Sequence, residues 1–247
     1  MINHRLAPEN PGPTAFRDSY EVMKSFIETV PWSQLVDPSK IIIGGYSSGG
    51  NIAASMTIQA RKEGIPVAMQ VLLSPELDLS RSLDAYKAFE EQDTDISEEF
   101  VNWFLDLYIP EGVNPQHPSL SPLWSKKADL QRLPPTAIVL AERDRFRSDA
   151  EAFYKKLGEV GVYAKRLMLE GETHAYAWHK LEVTEKIADI LYPICGERAV
   201  PRPLPHTLHF VKPRLTADGG NVRRSQNREL EDQLVVKAMT GSLLSKL

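Results

Sequence analysis

The stretch Lys40-Ile41-Ile42-Ile43-Gly44-Gly45-Tyr46-Ser47-Ser48-Gly49-Gly50-Asn51 joins a short β-branched run to a glycine-rich turn. A buried strand feeding a tight turn has this form, so Lys40 to Ile43 predicts a strand that stops at Gly44-Gly45. Within the stretch, Gly45-Tyr46-Ser47-Ser48-Gly49 fits the pattern G-x-S-x-G, and helical composition follows from Asn51 to Lys62. Strand, turn and helix in that order are the context in which such a serine is presented as a nucleophile. The glycines have a steric reason: the backbone at the tip of so sharp a turn is strained, and small neighbours let the chain approach itself. Only Ser47 fits the centre, because placing Ser48 there would require glycine where Tyr46 stands. A Gly/Ser-rich loop without chemistry is the competing reading.

Working outward, residues 1–197 alternate helical and strand-like patterns, which predicts an α/β domain with a mostly parallel sheet covered by helices. Phe16, Tyr20, Met23, Ile27 and Val30 recur at steps of three and four, so Pro13 to Val30 predicts an amphipathic helix. Short apolar runs predict strands at Val67 to Leu73, Thr136 to Glu142 and Tyr163 to Leu169, with helices at Ser148 to Gly158 and Leu181 to Ile194. Residues 80–128 interrupt the rhythm with an aromatic-rich helix, Glu98 to Tyr108, and a loop studded by Pro110, Pro115, Pro118 and Pro122. An insertion of that length reads as a lid or binding loop, with a decorated edge as the plainer alternative.

A serine hydroxyl is a poor nucleophile and needs a base, normally a histidine oriented by a carboxylate. The G-x-S-x-G pattern places these partners in the order serine, acid, histidine. Asp144 follows the Thr136 to Glu142 strand and His174 follows the Tyr163 to Leu169 strand. Both therefore fall at carboxyl ends of strands, where an open α/β sheet has its ligand crevice. His4 and His117 precede Asp144, against that order, while His206 and His209 lie in a proline-rich tail. His179 is the serious rival. His174 is preferred because Gly171-Glu172-Thr173 resembles a loop leaving a strand. No spacing suggests a metal or a nucleotide, so no cofactor is expected.

Of the 247 residues 42% are apolar, enough for a sizeable core, and the formal charge of −4 argues against a nucleic-acid partner. The single Cys195 forms no internal disulfide, and neither a signal pattern nor a membrane-spanning run is present, so the cytosol is the expected compartment. The charge is divided unevenly. Residues 198–247 carry nine basic and four acidic residues, against 20 and 29 in residues 1–197. Four prolines break this basic tail, and only Asn227 to Lys246 predicts a terminal helix.

These residues resemble the hormone-sensitive-lipase-like branch of the α/β-hydrolases. Arg5-Leu6-Ala7-Pro8-Glu9, Gly45 through Asn51, Ser121-Pro122-Leu123, Asp144 and His174-Ala175-Tyr176 match its motifs in order, from the first residues to about Ile194. The resemblance implies the α/β-hydrolase fold, with Ser47 as nucleophile, His174 as general base and acid, Asp144 as orienting carboxylate and hydrolysis of carboxylic esters as the reaction. Several positions depart from the family: Tyr46 and Ser48 stand where Asp and Ala are usual, Arg145-Phe146 where Pro-Leu is usual, and Ala175 where Gly is usual. The family's His-Gly-Gly-Gly segment, which supplies oxyanion amides, does not occur in the 46 residues before Ser47. The chain is thus expected to begin in mid-sheet, shortened at its amino end, with the Ser48 amide as the one predictable oxyanion donor. An exposed sheet edge and association between copies follow as expectations, with the basic tail as a candidate cover. Two functions are carried forward. One is an esterase for small or medium acyl groups, in which Trp103, Phe104 and Tyr108 either line the pocket or simply pack. The other is a weak or inert homologue that binds a ligand or partner.

Overall fold

Four short apolar runs pair side by side in the order β1 (Ile42–Tyr46), β2 (Met69–Leu73), β3 (Thr136–Arg143) and β4 (Ala164–Thr173), every pair parallel. Parallel neighbours need crossovers, and the predicted helices supply two of them: α2 (Ser48–Glu63) links β1 to β2, and α5 (Arg147–Glu159) links β3 to β4. The inner strands show why they were legible as apolar runs. All five residues of β2 and the first six of β3 are buried. The computed structural model describes residues 2–28, 40–83, 86 and 95–178, which belong to one compact unit. Val30, His179, the predicted helices at 181–194 and 227–246, and the tail from 198 lie outside the described residues. Among the described residues no helix is long and apolar enough to cross a membrane.

Helix α1 (Thr14–Glu28) buries Tyr20 and Met23, with Phe16 and Ile27 packed against the core, as the sequence periodicity predicts. Helix α2 is enclosed for most of its length, from Gly50 through Ile58, and packs on β1 and β2. The insertion carries α3 (Glu98–Tyr108), capped by Ser97, whose Oγ accepts from the Phe100 amide at 3.1 Å. Val101 and Leu105 of this helix join Leu79, Tyr86, Leu120 and Phe146 in a second apolar cluster. Phe104 stacks on Tyr108 with centroids 5.9 Å apart, and both pack against that cluster. Trp103 points elsewhere and is 45% exposed. The expected loop after α3 also contains a 3₁₀ turn at Pro122–Trp124 and a short helix, α4 (Lys127–Leu130), which the prolines had masked.

Two of the boundaries that differ from expectation bear on the site. Strand β1 does not stop at Gly44-Gly45 but runs through both to Tyr46. These glycines mark close approach rather than a turn: a Cβ on Gly44 would lie 3.2 Å from the Val71 carbonyl oxygen, and one on Gly45 only 2.1 Å from that of Gly49. Likewise Gly171-Glu172-Thr173 is not a loop leaving the strand but the end of β4. The register breaks between Ala141 and Arg143, Gly171 takes φ 70°, and its amide donates to Glu142 Oε2 at 2.7 Å. Here the glycine belongs to a β-bulge, after which pairing resumes with Arg143 opposite Thr173.

Candidate active site

Ser47 occupies the single residue between β1 and α2, at φ 56° and ψ −122°. A side chain in that region costs of order 1–3 kcal/mol, and the surroundings hold it there. The Ser47 amide donates to Leu73 O at 2.9 Å at the end of β2. Its carbonyl accepts from Gly50 at 2.9 Å and Asn51 at 3.2 Å, and from Glu76 at 3.3 Å. Asn51 adds a second tie. Its buried Nδ2 donates to Glu76 O at 2.8 Å and to Leu120 O at 2.7 Å, joining the elbow to the segment after β2 and to the insertion. The serine side chain is thereby presented above the carboxyl edge of the sheet.

Asp144 and His174 lie at the carboxyl ends of β3 and β4, and the structure brings both to Ser47. The His174 Nδ1–H donates to Asp144 Oδ2 at 2.9 Å. His174 Nε2 lies 2.9 Å from Ser47 Oγ. With Nδ1 committed to the carboxylate, Nε2 carries the lone pair and accepts from the serine hydroxyl. Asp144 is fully buried, and its Oδ1 accepts from the Phe146 amide at 2.9 Å. The His174 ring is 5.0 Å from the Tyr46 ring and meets Phe146 edge-on at 5.2 Å, so it is flanked by aromatic walls. The Tyr46 hydroxyl donates to the His174 carbonyl oxygen.

Burial by itself lowers the basicity of His174, but the attraction and hydrogen bond of Asp144, with smaller help from Asp95 and Glu76, outweigh it and raise the imidazole above its ordinary 6.5. Glu76 is itself buried. Loss of hydration pushes its carboxyl up to about 7, against the opposing pull of His174 and Arg81, while Asp144 and Asp78 add to the rise. Burial also drives the Tyr46 and Tyr176 phenols upward, which keeps both hydroxyls protonated.

Ser48 opens α2, so its amide belongs to the first-turn N–H groups that have no intrahelical acceptor. The two glycines of G-x-S-x-G prove unequal. Gly45 is needed for clearance from Gly49, whereas a Cβ on Gly49 meets nothing within 4 Å. Gly50, outside the five-residue pattern, is the second tight position, with a Cβ placed 2.7 Å from Pro75 Cβ. Among the rival histidines, His4 bonds to the Arg5 carbonyl and His117 to Ser119 in the insertion. His179, His206 and His209 lie outside the described residues.

Asp95 and the aromatic flanks of His174 escaped the sequence reading. Asp95 stands beside helix-forming acidic residues in the insertion, and only the fold brings it to His174.

A family model for the alpha/beta hydrolase fold matches residues 1–178. The chain belongs to this family. Its resemblance to the hormone-sensitive-lipase-like branch is shown by the same match and by relatives. The chain is 31% identical over 177 residues to a putative alpha/beta hydrolase of Acanthamoeba polyphaga mimivirus, covering 71% of this chain and 51% of the relative. It is 34% identical over 166 residues to the carboxylesterase NlhH of Mycobacterium tuberculosis, with 65% and 50% covered. A gibberellin receptor of Arabidopsis thaliana is 30% identical over 182 residues, with 70% and 50% covered. Among solved structures, a hyperthermophilic esterase from Pyrobaculum calidifontis superposes with a TM-score of 0.70 at 29% identity, covering 78% of this chain and 64% of the esterase. The chain thus spans about half the length of the curated relatives it matches.

Proposed function

We propose that this chain is a serine hydrolase that cleaves carboxylic esters of small or medium acyl groups by way of an acyl-enzyme. The observation that carries the reading is the unbroken relay Ser47 Oγ, His174 Nε2, His174 Nδ1, Asp144 Oδ2, with 2.9 Å at each step. In it Ser47 Oγ attacks the ester carbonyl while His174 Nε2 takes its proton, and Asp144 stabilises the imidazolium. The tetrahedral oxygen is received by the Ser48 amide at the positive end of α2. Collapse expels the alcohol, which takes the proton from His174, and water then releases the acid by the same steps in reverse roles. The esterases and carboxylesterase among the relatives support this choice of reaction. We assign residues 1–197 to the hydrolase domain, with a lid-like insertion at about 80–128, and residues 198–247 to a basic, proline-rich tail.

The test is hydrolysis of p-nitrophenyl acetate and butyrate by the parent and by Ser47→Ala. Turnover is expected in the parent and a loss of about 10³-fold or more in the variant. Equal rates in the two would overturn the assignment. A second reading, a homologue that binds rather than turns over, is favoured by one observation: two gibberellin receptors of Arabidopsis thaliana are among the relatives. Rapid fluorophosphonate labelling that disappears in Ser47→Ala and His174→Ala favours hydrolysis, whereas folded protein that takes no label favours binding.

A further inference from the structure

The loop that carries His174 is anchored by a residue from the insertion. Asp95 Oδ1 accepts from the His174 amide at 3.0 Å, and Oδ2 accepts from the Ala175 amide at 2.8 Å and from Thr173 Oγ at 3.1 Å. Three consecutive residues, with the base in the middle, are thus bound by one carboxylate. Its neighbour faces the other way. The Ile96 carbonyl accepts from Arg145 Nε at 3.1 Å, and Arg145 is buried beneath the insertion with its guanidinium 5.5 Å from the Tyr86 ring. The dipeptide Asp95-Ile96 therefore bridges the loop of Asp144 to the loop of His174, at the point where the insertion turns into α3 at Ser97.

We propose that Asp95 is a positioning residue for the base: it fixes the main chain on either side of His174 and places a second negative charge near the imidazolium that forms when Ser47 gives up its proton. This rests on the hydrolase reading above. Asp95 touches neither Ser47 nor the substrate position, so its action passes through His174. A carboxylate is the fitting group, since it alone offers two oxygens that only accept to three donors converging from one side. Its electrostatic share is modest because Asp95 is exposed to solvent. The charged and titratable groups around His174 among the described residues are Asp144 after β3, Glu76 after β2, Asp95 from the insertion, Tyr46 on β1 and Tyr176 in the turn after His174. Removal of Asp95 leaves Asp144 as the main partner and lowers imidazole basicity without abolishing it.

The experiment compares the parent with Asp95→Asn, Asp95→Glu and Asp95→Ala. Rates on p-nitrophenyl butyrate are normalised to sites titrated by a fluorophosphonate, and the His174 imidazole is titrated by NMR, assigned through His174→Ala. In Asp95→Asn the side-chain size is kept, while one oxygen is replaced by a donor and the charge is lost. We expect kcat per titrated site to fall about tenfold with KM within about twofold, less than the about hundredfold that a 1 Å displacement of a reacting group can cost. We expect the His174 midpoint to fall, because the charge of Asp95 favours the imidazolium. Asp95→Glu is expected to keep the midpoint while lowering kcat, and Asp95→Ala to show both losses with folding monitored by circular dichroism. An Asp95→Asn protein with parental kcat per site and an unmoved midpoint would overturn the proposal. If the parent neither hydrolyses esters nor takes the label, the hydrolase reading falls by itself. The midpoint then decides Asp95 alone, a lowered value sustaining the ordering of His174 and an unchanged one refuting it.

Discussion

Replacing Gly45 by alanine tests the elbow at its tightest point. The added Cβ would lie 2.1 Å from Gly49 O, 2.3 Å from Gly49 C and 2.8 Å from Gly50 N, all main-chain atoms of the first turn of α2. Ordinary contact begins near about 3.4 Å, so the turn must retreat by about 1 Å, and no side-chain rotation can relieve the overlap. Overpacking of this kind costs about 3 kcal/mol, at the upper end of the usual range because backbone has to move. For a domain of this size that lowers Tm by about 6–12 °C. The same displacement shifts the Ser48 amide and takes Ser47 Oγ away from its 2.9 Å contact with His174 Nε2, so ester hydrolysis should fall about hundredfold even in the folded fraction. Gly49→Ala is the internal control. Its Cβ meets nothing within 4 Å and the position is helical, so stability should stay level or rise by about 1 kcal/mol. Thermal melts and urea titrations of both variants decide the matter: equal losses in the two would refute the steric account of the motif.

Tyr46→Phe keeps the ring beside the imidazole but removes the hydroxyl that donates to the His174 carbonyl, so we expect a stability loss of about 1–2 kcal/mol in urea unfolding and a lower kcat with little change in KM. A parental kcat would show that this contact does not order the base. Glu76→Gln probes the buried carboxyl, which burial raises from 4.5 to about 7. A group whose folded value lies above its unfolded one contributes fully below pH 4.5 and loses that contribution as pH climbs through 7. The gap between the two values corresponds to about 3 kcal/mol at most. Relative to the parent, the Gln variant should therefore gain about 2 kcal/mol on going from pH 5 to pH 8, and a gain below about 0.5 kcal/mol would place Glu76 in water.

How far the sequence disclosed this site depends on what kind of contact defines each part. Ser47, Asp144 and His174 were legible because each sits at the carboxyl end of a parallel strand, and an apolar run announces its own end. The paired strands were legible as short apolar runs, α1 by its 3.6 periodicity and α2, α3 and α5 by composition, all of them local properties of the sequence. Bulges and approaches between strands were not. Gly44 and Gly171 read as turn or loop signals, yet what requires glycine at 44 is the neighbouring strand and at 171 a break in register, while at 45 the expected approach of the chain to itself is made against Gly49. Asp95 was hidden for a further reason: its partners lie 78 to 80 positions away in sequence, and nothing in Asp93-Thr94-Asp95 distinguishes one acid from the other.

The positions at which the chain departs from its family also fit one another. Where Asp is usual, Tyr46 supplies a ring against one side of His174 and a donor to its carbonyl. Where Pro-Leu is usual, Phe146 supplies the second aromatic wall and Arg145 binds the Ile96 carbonyl. Where Gly is usual, Ala175 gives its amide to Asp95. Ser48 apart, these departures contact either the base itself or the Asp95-Ile96 bridge, so together they form one alternative way of holding an imidazole rather than scattered losses. If they act as a unit, their effects will not add: Tyr46→Phe combined with Asp95→Asn should cost less in kcat than the product of the single losses, because each already frees the same loop. Strict multiplication of the two losses in a double-mutant cycle would mean that the tyrosine and the insertion hold His174 independently.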